Sequence, residues 1–212
     1  MPISPIPIGS AAWGAPVNDR FTELDQRLAP IQHVPGPGDQ TLDGWSFDPA
    51  TNVTTSVLPT ATITWIKLPI RASATSPVTI SNIGIGVATG GTTLTVGQNF
   101  AGIYSSAGSL LGTTADQAAA WQVVGFKDMA LTAPVVLNTS SPIYVALLCR
   151  GTTGPTLIRG ANYALGADLL NWNTTTATAR FASLATAATT LPASVTLSTR
   201  TASATAWWAG IR

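Results

Sequence analysis

Thr62-Ile63-Thr64-Trp65-Ile66-Lys67-Leu68-Pro69-Ile70 decides how this chain is read. Ile63, Trp65 and Lys67 fall on one side of an extended backbone, and Thr64, Ile66 and Leu68 on the other, which is the period-two alternation of a β-strand. Working outward, the same chemistry recurs. Val78 and Ile80, then Ile83, Ile85 and Val87, alternate but change phase across Ser81-Asn82, which predicts a bulge or bend. Phe100–Tyr104 and Leu110-Leu111 flank Ser106-Ala107-Gly108-Ser109, a hairpin signal. Ile143–Cys149 is almost continuously apolar, as a central strand must be. Gly151–Pro155 reads as a turn before Thr156–Arg159, and Val195–Leu197 and Ala206–Ile211 close the chain. Ala115–Ala120 is the one place where a single helical turn is expected in this region. Short strands punctuated by Gly and Pro, with no fixed repeat, predict an all-β fold: a single β-sandwich, jelly-roll-like, over residues 51–212.

Composition agrees with that reading and narrows the function. Of 212 residues, 45% are hydrophobic and only 9% charged, against about 25% charged in an average soluble domain. No stretch approaches the roughly 20 apolar residues that a membrane-spanning helix needs, so no membrane partner is expected. Thr and Ser supply the polarity instead; Thr suits a pleated strand, with its branched Cβ on the sheet and its hydroxyl toward water. Such a surface is suited to packing against other copies or other proteins.

The front of the chain follows a different rule. Val17, Phe21, Leu24, Leu28 and Ile31 are spaced alternately by four and three, a heptad seam interrupted by Pro30. Asn18 is a good N-cap and Asp19 suits the first turn, so a helix is expected from about Asp19 to Ala29. Before it, Pro-Ile-Pro-Ile and Trp13-Gly14-Ala15-Pro16 form an extended arm. A helix this short is not stable alone in water. Its seam must pack on sister copies, on its own body or on a larger assembly; a small parallel bundle, a trimer, is the expected oligomer. Residues 1–31 therefore read as an attachment and oligomerisation segment centred on Trp13 and the Val17–Ile31 seam, and residues 32–50, with Pro35-Gly36-Pro37-Gly38, as a linker. The first eight residues have no basic segment and too many prolines for a secretory signal, so synthesis in a cytoplasm is expected.

Catalytic chemistry finds few residues to use. The single histidine, His33, lies in the Pro/Gly linker, the least rigid place for a triad member. The only glutamate is Glu23, in the seam helix, and the body carries three aspartates, Asp116, Asp128 and Asp168. A glycosidase would need two carboxylates about 5–10 Å apart, and nothing in the sequence pairs these three. One cysteine, Cys149, excludes an internal disulfide and a Cys/His metal site, and reads as a small core hydrophobe. Gly84-Ile85-Gly86 lies inside a strand pattern and reads as a packing feature, not a phosphate loop. No enzyme activity, metal or cofactor is expected.

Charge adds one more constraint. Arg20 and Arg27 face six acidic residues before position 51, whereas Lys67, Arg71, Lys127, Arg150, Arg159, Arg180, Arg200 and Arg212 face three acidic residues after it. The cations are scattered singly, so no phosphate-tracking stripe is read and no nucleic-acid partner is expected. A mildly positive body would favour approach to anionic wall polymers, but ordinary solubility is the better explanation of it.

Aromatics remain. Trp65 and Tyr144 lie in strand-like runs and are expected in the core. Adjacent Trp207 and Trp208 point to opposite faces of a strand, one toward the core and one toward a neighbour. Tyr163 and Trp172 fall in Gly160–Thr178, a loop rich in Asn and Thr. They are the candidate glycan contacts, because an apolar sugar face matches a π-face; the competing reading is packing against another subunit.

Trp13-Gly14-Ala15-Pro16-Val17-Asn18 before a short helix resembles the N-terminus of minor tail proteins and tail fibres of bacteriophages that infect actinobacteria. Phe100-Ala101-Gly102-Ile103-Tyr104-Ser105-Ser106-Ala107-Gly108-Ser109-Leu110-Leu111, followed by Trp121, Gly125, Pro134 and Ile143-Tyr144-Val145-Ala146, resembles the β-sandwich body of the same proteins, as does the closing Ala206-Trp207-Trp208-Ala209. The resemblance implies a virion structural protein, multimeric, held to other virion proteins through residues 1–31 and displaying its body outward. It supplies no binding residues. Two roles follow as expectations: adsorption to a host cell-wall glycan, or decoration or projection on the capsid with a purely structural role.

Overall fold

The computed structural model describes residues 41–50, 53–70, 72–160 and 170–212. The Trp13 arm and the seam of Val17, Phe21, Leu24, Leu28 and Ile31 lie outside the described residues, as does Tyr163. In chain order the strands are β1 (Gly44–Trp45), β2 (Val53–Val57), β3 (Thr62–Leu68), β4 (Val78–Thr89), β5 (Thr92–Leu94), β6 (Phe100–Tyr104) and β7 (Leu110–Thr113). A single helical turn, α1 (Ala118–Trp121), is followed by β8 (Gly125–Leu137), β9 (Ile143–Cys149), β10 (Gly151–Thr153), β11 (Thr156–Gly160), β12 (Phe181–Ala185), β13 (Thr201–Ala202) and β14 (Gly210–Ile211). The body is all-β, as its alternating patterns require.

Two antiparallel sheets face each other. One runs in the order β13-β12-β3-β9-β6-β7. The other is built around the long strand β4, which pairs with β8 through Val78–Val87, with β14 at Ile83 and Gly84, and with β11 at Val87 and Thr89. Because β8 occupies one edge of β4, β14 and β11 share the other edge end to end; β1 then extends β14, and β2 extends β11. A short pair, β5 and β10, stands apart. The second sheet thus recruits Gly44 and Trp45, from the stretch expected as linker, and Ser46 Oγ ties that stretch to the Trp207 carbonyl at 3.0 Å.

The inner core lies between the sheets. Ile66, Leu68, Ile103, Val145 and Leu147 from one sheet meet Ile83, Ile85, Met129, Leu157 and Ile211 from the other. Ile80 joins them although its parity differs from that of Ile83. The pairing register breaks between Ile80 and Asn82, where the Ser81 and Asn82 N–H groups both donate to the Arg212 carbonyl, at 2.7 and 2.8 Å. The expected phase change is therefore a real bulge, and it lets β4 turn all three isoleucines inward.

The outer face of the β3–β9–β6 sheet is also buried, which explains the continuous apolar run in β9. Ile63, Trp65, Tyr104, Tyr144, Ala146 and Leu148 form a second cluster, covered by Ala177, Ala179, Leu191, Val195 and Leu197 from the irregular chain around β12. Trp65 sits edge-on to Tyr104 and Tyr144, with ring centroids 4.7 and 6.2 Å away. Removing a buried indole of this kind costs about 3–5 kcal/mol. Over the cluster lies Arg200, only 3% exposed. Its guanidinium stacks on Tyr144 and Trp65 and donates through Nε to the Leu197 carbonyl (3.0 Å) and through Nη2 to those of Thr176 (3.0 Å) and Ala177 (2.9 Å).

One expectation is corrected. Trp207 and Trp208 do point to opposite faces, but neither is available to a neighbour: both are buried. The Trp208 indole donates to the Phe47 carbonyl at 3.1 Å and packs against the Phe126 ring, so the chain's own surface covers it.

Candidate functional site: the exposed Trp172 loop

The loop from Leu170 to Thr178 enters β12 and is bolted down from beneath. Asn171 is almost fully buried, and its Oδ1 accepts the Phe181 N–H at 3.1 Å while its Nδ2 donates to the Ser203 carbonyl at 3.2 Å. Its own carbonyl accepts both the N–H (3.1 Å) and the hydroxyl (2.6 Å) of Thr174. Thr178 closes the far end: its N–H donates to the Thr175 carbonyl at 3.0 Å, and its hydroxyl accepts the Thr175 N–H at 2.9 Å. The carbonyls of Thr176 and Ala177 are those that Arg200 grips. Between the buried Asn171 and Asn173, which adopts a left-handed φ of +55°, Trp172 is 78% exposed.

An exposed indole on a loop with buried anchors is unusual; most large aromatic surface is recovered by burial. Beside it lies a hollow of about 300 Å³ lined by Asn171, Trp172, Asn173, Thr174, Thr175, Thr176 and Ala202. That volume is at the lower end for small-ligand sites. One flat π-face beside hydroxyls and amides is the arrangement that accepts a sugar ring, apolar face on the indole and hydroxyls toward Asn and Thr. Trp172 is exposed at the rim of this hollow, while Tyr163 falls outside the described residues.

Among the described residues, Asp116 and Asp128 are engaged with different partners. Asp116 accepts the Asn99 N–H at 2.9 Å, near β6, whereas Asp128 on β8 is paired with Arg212. Asp168 lies outside the described residues. Among the described residues no three His, Cys, Asp or Glu side chains gather as metal ligands, and no helix is long and apolar enough to cross a membrane. Cys149 is buried, and that burial pushes its thiol up to about 12. Gly84 and Gly86 are packing positions: a Cβ at Gly84 would meet the Phe126 ring at 2.8 Å, and one at Gly86 would meet Ile158 at 2.4 Å.

Two features escaped the sequence reading. Val123 and Val124, just before β8, and Phe126, within it, are each about three-fifths exposed and form an apolar surface patch. Arg150, at the end of β9, lines a second polar hollow. The apolar Val-Val-x-Phe run was visible, but its exposure depends on β8 presenting that end away from the core. Compared with known proteins, the chain matches no protein-family model and no curated protein.

Proposed function

We propose that this chain is a bacteriophage virion structural protein of the minor-tail or tail-fibre kind, mounted by residues 1–31 and displaying its β-sandwich for adsorption to a host-surface glycan. The observation that carries the adsorption role is the exposed Trp172 ring on a braced Asn/Thr loop. Rigidity matters because a loop already held in one geometry loses little entropy when a ligand docks. The virion setting rests on the sequence resemblance and on the division into a sticky front and a weakly charged β-body. In this reading residues 1–31 hold other virion proteins or a trimer of the chain itself.

A glycan array followed by titration of the best hit tests the binding surface. Trp172→Ala should abolish binding while leaving the unfolding midpoint unchanged; full retention of binding by that variant rules this surface out. The exposed Val123, Val124 and Phe126 patch favours a second reading, a capsid decoration or head-fibre protein in which such surfaces pack against neighbours. Gold-tagged antibody against residues 51–212 on intact virions separates the two: label at the tail tip supports adsorption, and label over the head supports decoration.

A further inference from the structure

The hollow beside Arg150 is built from neutral hydroxyls and one cation. Thr60 and Ala61, from the turn between β2 and β3, face Thr93, Thr95 and Gln98 from the β5 side, with Arg150 and Thr152 completing a space of about 340 Å³. The Arg150 guanidinium is held in place by carbonyls. Its Nε donates to Ala188 at 3.1 Å, and its Nη2 to Thr186 at 2.8 Å and Ala188 at 2.7 Å. None of these partners carries charge, and among the described residues no carboxylate pairs with Arg150. Among the described residues its remaining nitrogen, Nη1, donates to no protein acceptor, and Arg150 lines the hollow. Two wall residues are strained: Thr93 at φ +49° and Ala61 at φ +55°. A β-branched residue in the left-handed region costs of order 1–3 kcal/mol and persists only where the surroundings enforce it.

We infer that this hollow binds a sugar acid, with the ring carboxylate on Arg150 and the ring hydroxyls on the threonines and Gln98. Three hydrogen bonds immobilise the guanidinium in advance, so the ligand does not have to order it. One positive charge balances one negative charge, which favours a carboxylate over a phosphate monoester carrying nearly two. Four threonine hydroxyls and an amide both donate and accept, as a polyol requires. This site is separate from the Trp172 loop and does not depend on what that loop binds.

The test is calorimetric titration of the full chain with tetragalacturonate, with maltotetraose as the neutral control. Tetragalacturonate should bind at least about tenfold more tightly, with affinity falling as salt rises. Arg150→Gln should remove that preference. Because this change also frees the Thr186 and Ala188 carbonyls, Thr95→Val and Thr152→Val serve as milder probes, and each should weaken binding several-fold without shifting the unfolding midpoint. Equal affinity for the two saccharides, unchanged affinity in both threonine variants, or full displacement by equimolar inorganic phosphate would each overturn the inference.

Discussion

The Arg200 guanidinium lies 4.4 Å from the centre of the Tyr144 ring, buried and without a carboxylate partner among the described residues. Its charge is held by ring faces and carbonyl oxygens instead, an arrangement worth about 2 kcal/mol or more when desolvated. Because two of those carbonyls belong to Thr176 and Ala177, the same residue clamps the cover over Trp65 and the end of the Trp172 loop. Arg200→Ala should lower stability by roughly 3 kcal/mol, combining lost charge-assisted hydrogen bonds and lost packing. Urea unfolding checks this. The same variant should also weaken glycan binding at Trp172; wild-type affinity would mean that the loop is braced without Arg200.

Burial at Cys149 and Tyr104 makes stability fall in alkali. Both groups have folded pKa values raised by desolvation, Cys149 to about 12 and Tyr104 beyond the ordinary phenol range. The native state keeps both protonated where the unfolded chain has released its protons. The stabilisation is therefore fully present below about pH 9 and is lost as pH rises toward 12, at up to about 1.4 kcal/mol per pH unit for each group. Denaturant midpoints measured from pH 7 to 11 should decline above 9, and Cys149→Ala should flatten part of that decline. The thiol should also resist iodoacetamide at pH 8 until the protein unfolds.

Gly108 connects the β6–β7 hairpin to the cover. It sits at φ +87°, its N–H donates to the Ser105 carbonyl at 3.0 Å, and its own carbonyl accepts the Val195 N–H at 2.9 Å. A Cβ there would stand 2.1 Å from the Val195 carbonyl oxygen, a backbone atom with nowhere to retreat. Gly108→Ala should cost about 2–3 kcal/mol, more than the roughly 1 kcal/mol of left-handed strain alone. The excess, read from urea unfolding beside a Gly97→Ala control (φ +78°, no atom within 4 Å), measures the clash. Equal losses in the two variants would show that the Val195 segment moves aside freely.

Local pattern carried most of the fold, and non-local contact decided what it missed. The nearly all-apolar run Ile143–Cys149 announced a central strand, and the phase change at Ser81-Asn82 announced a bulge or bend, because each signal is complete within a few residues. The fate of Trp208 was not readable that way. Its indole N–H is satisfied by the Phe47 carbonyl, 161 positions distant, and no local pattern distinguishes an indole held by such a residue from one turned toward a neighbour. The Arg150 hollow was equally hidden, since its guanidinium is fixed by carbonyls 36 and 38 residues away. Trp172 was legible as a candidate because Asn and Thr surround it in sequence; that it is braced and exposed depends on the buried Asn171 and on Arg200 from beneath.

The front segment gives the last prediction, and it rests on sequence alone. If Val17, Phe21, Leu24, Leu28 and Ile31 form a buried seam, placing charge on two of them removes apolar burial and introduces repulsion between copies. Phe21→Asp together with Leu24→Asp should cost roughly 2–5 kcal/mol per site in the assembled state. The body should keep its fold, because its described sheets are built from residues 44–211. Sedimentation equilibrium should then give a monomer with an unchanged β-rich circular dichroism spectrum, and virions should no longer incorporate it. A double variant that still trimerises and enters particles normally would remove residues 1–31 as the mount and move attention to the Val123, Val124 and Phe126 patch.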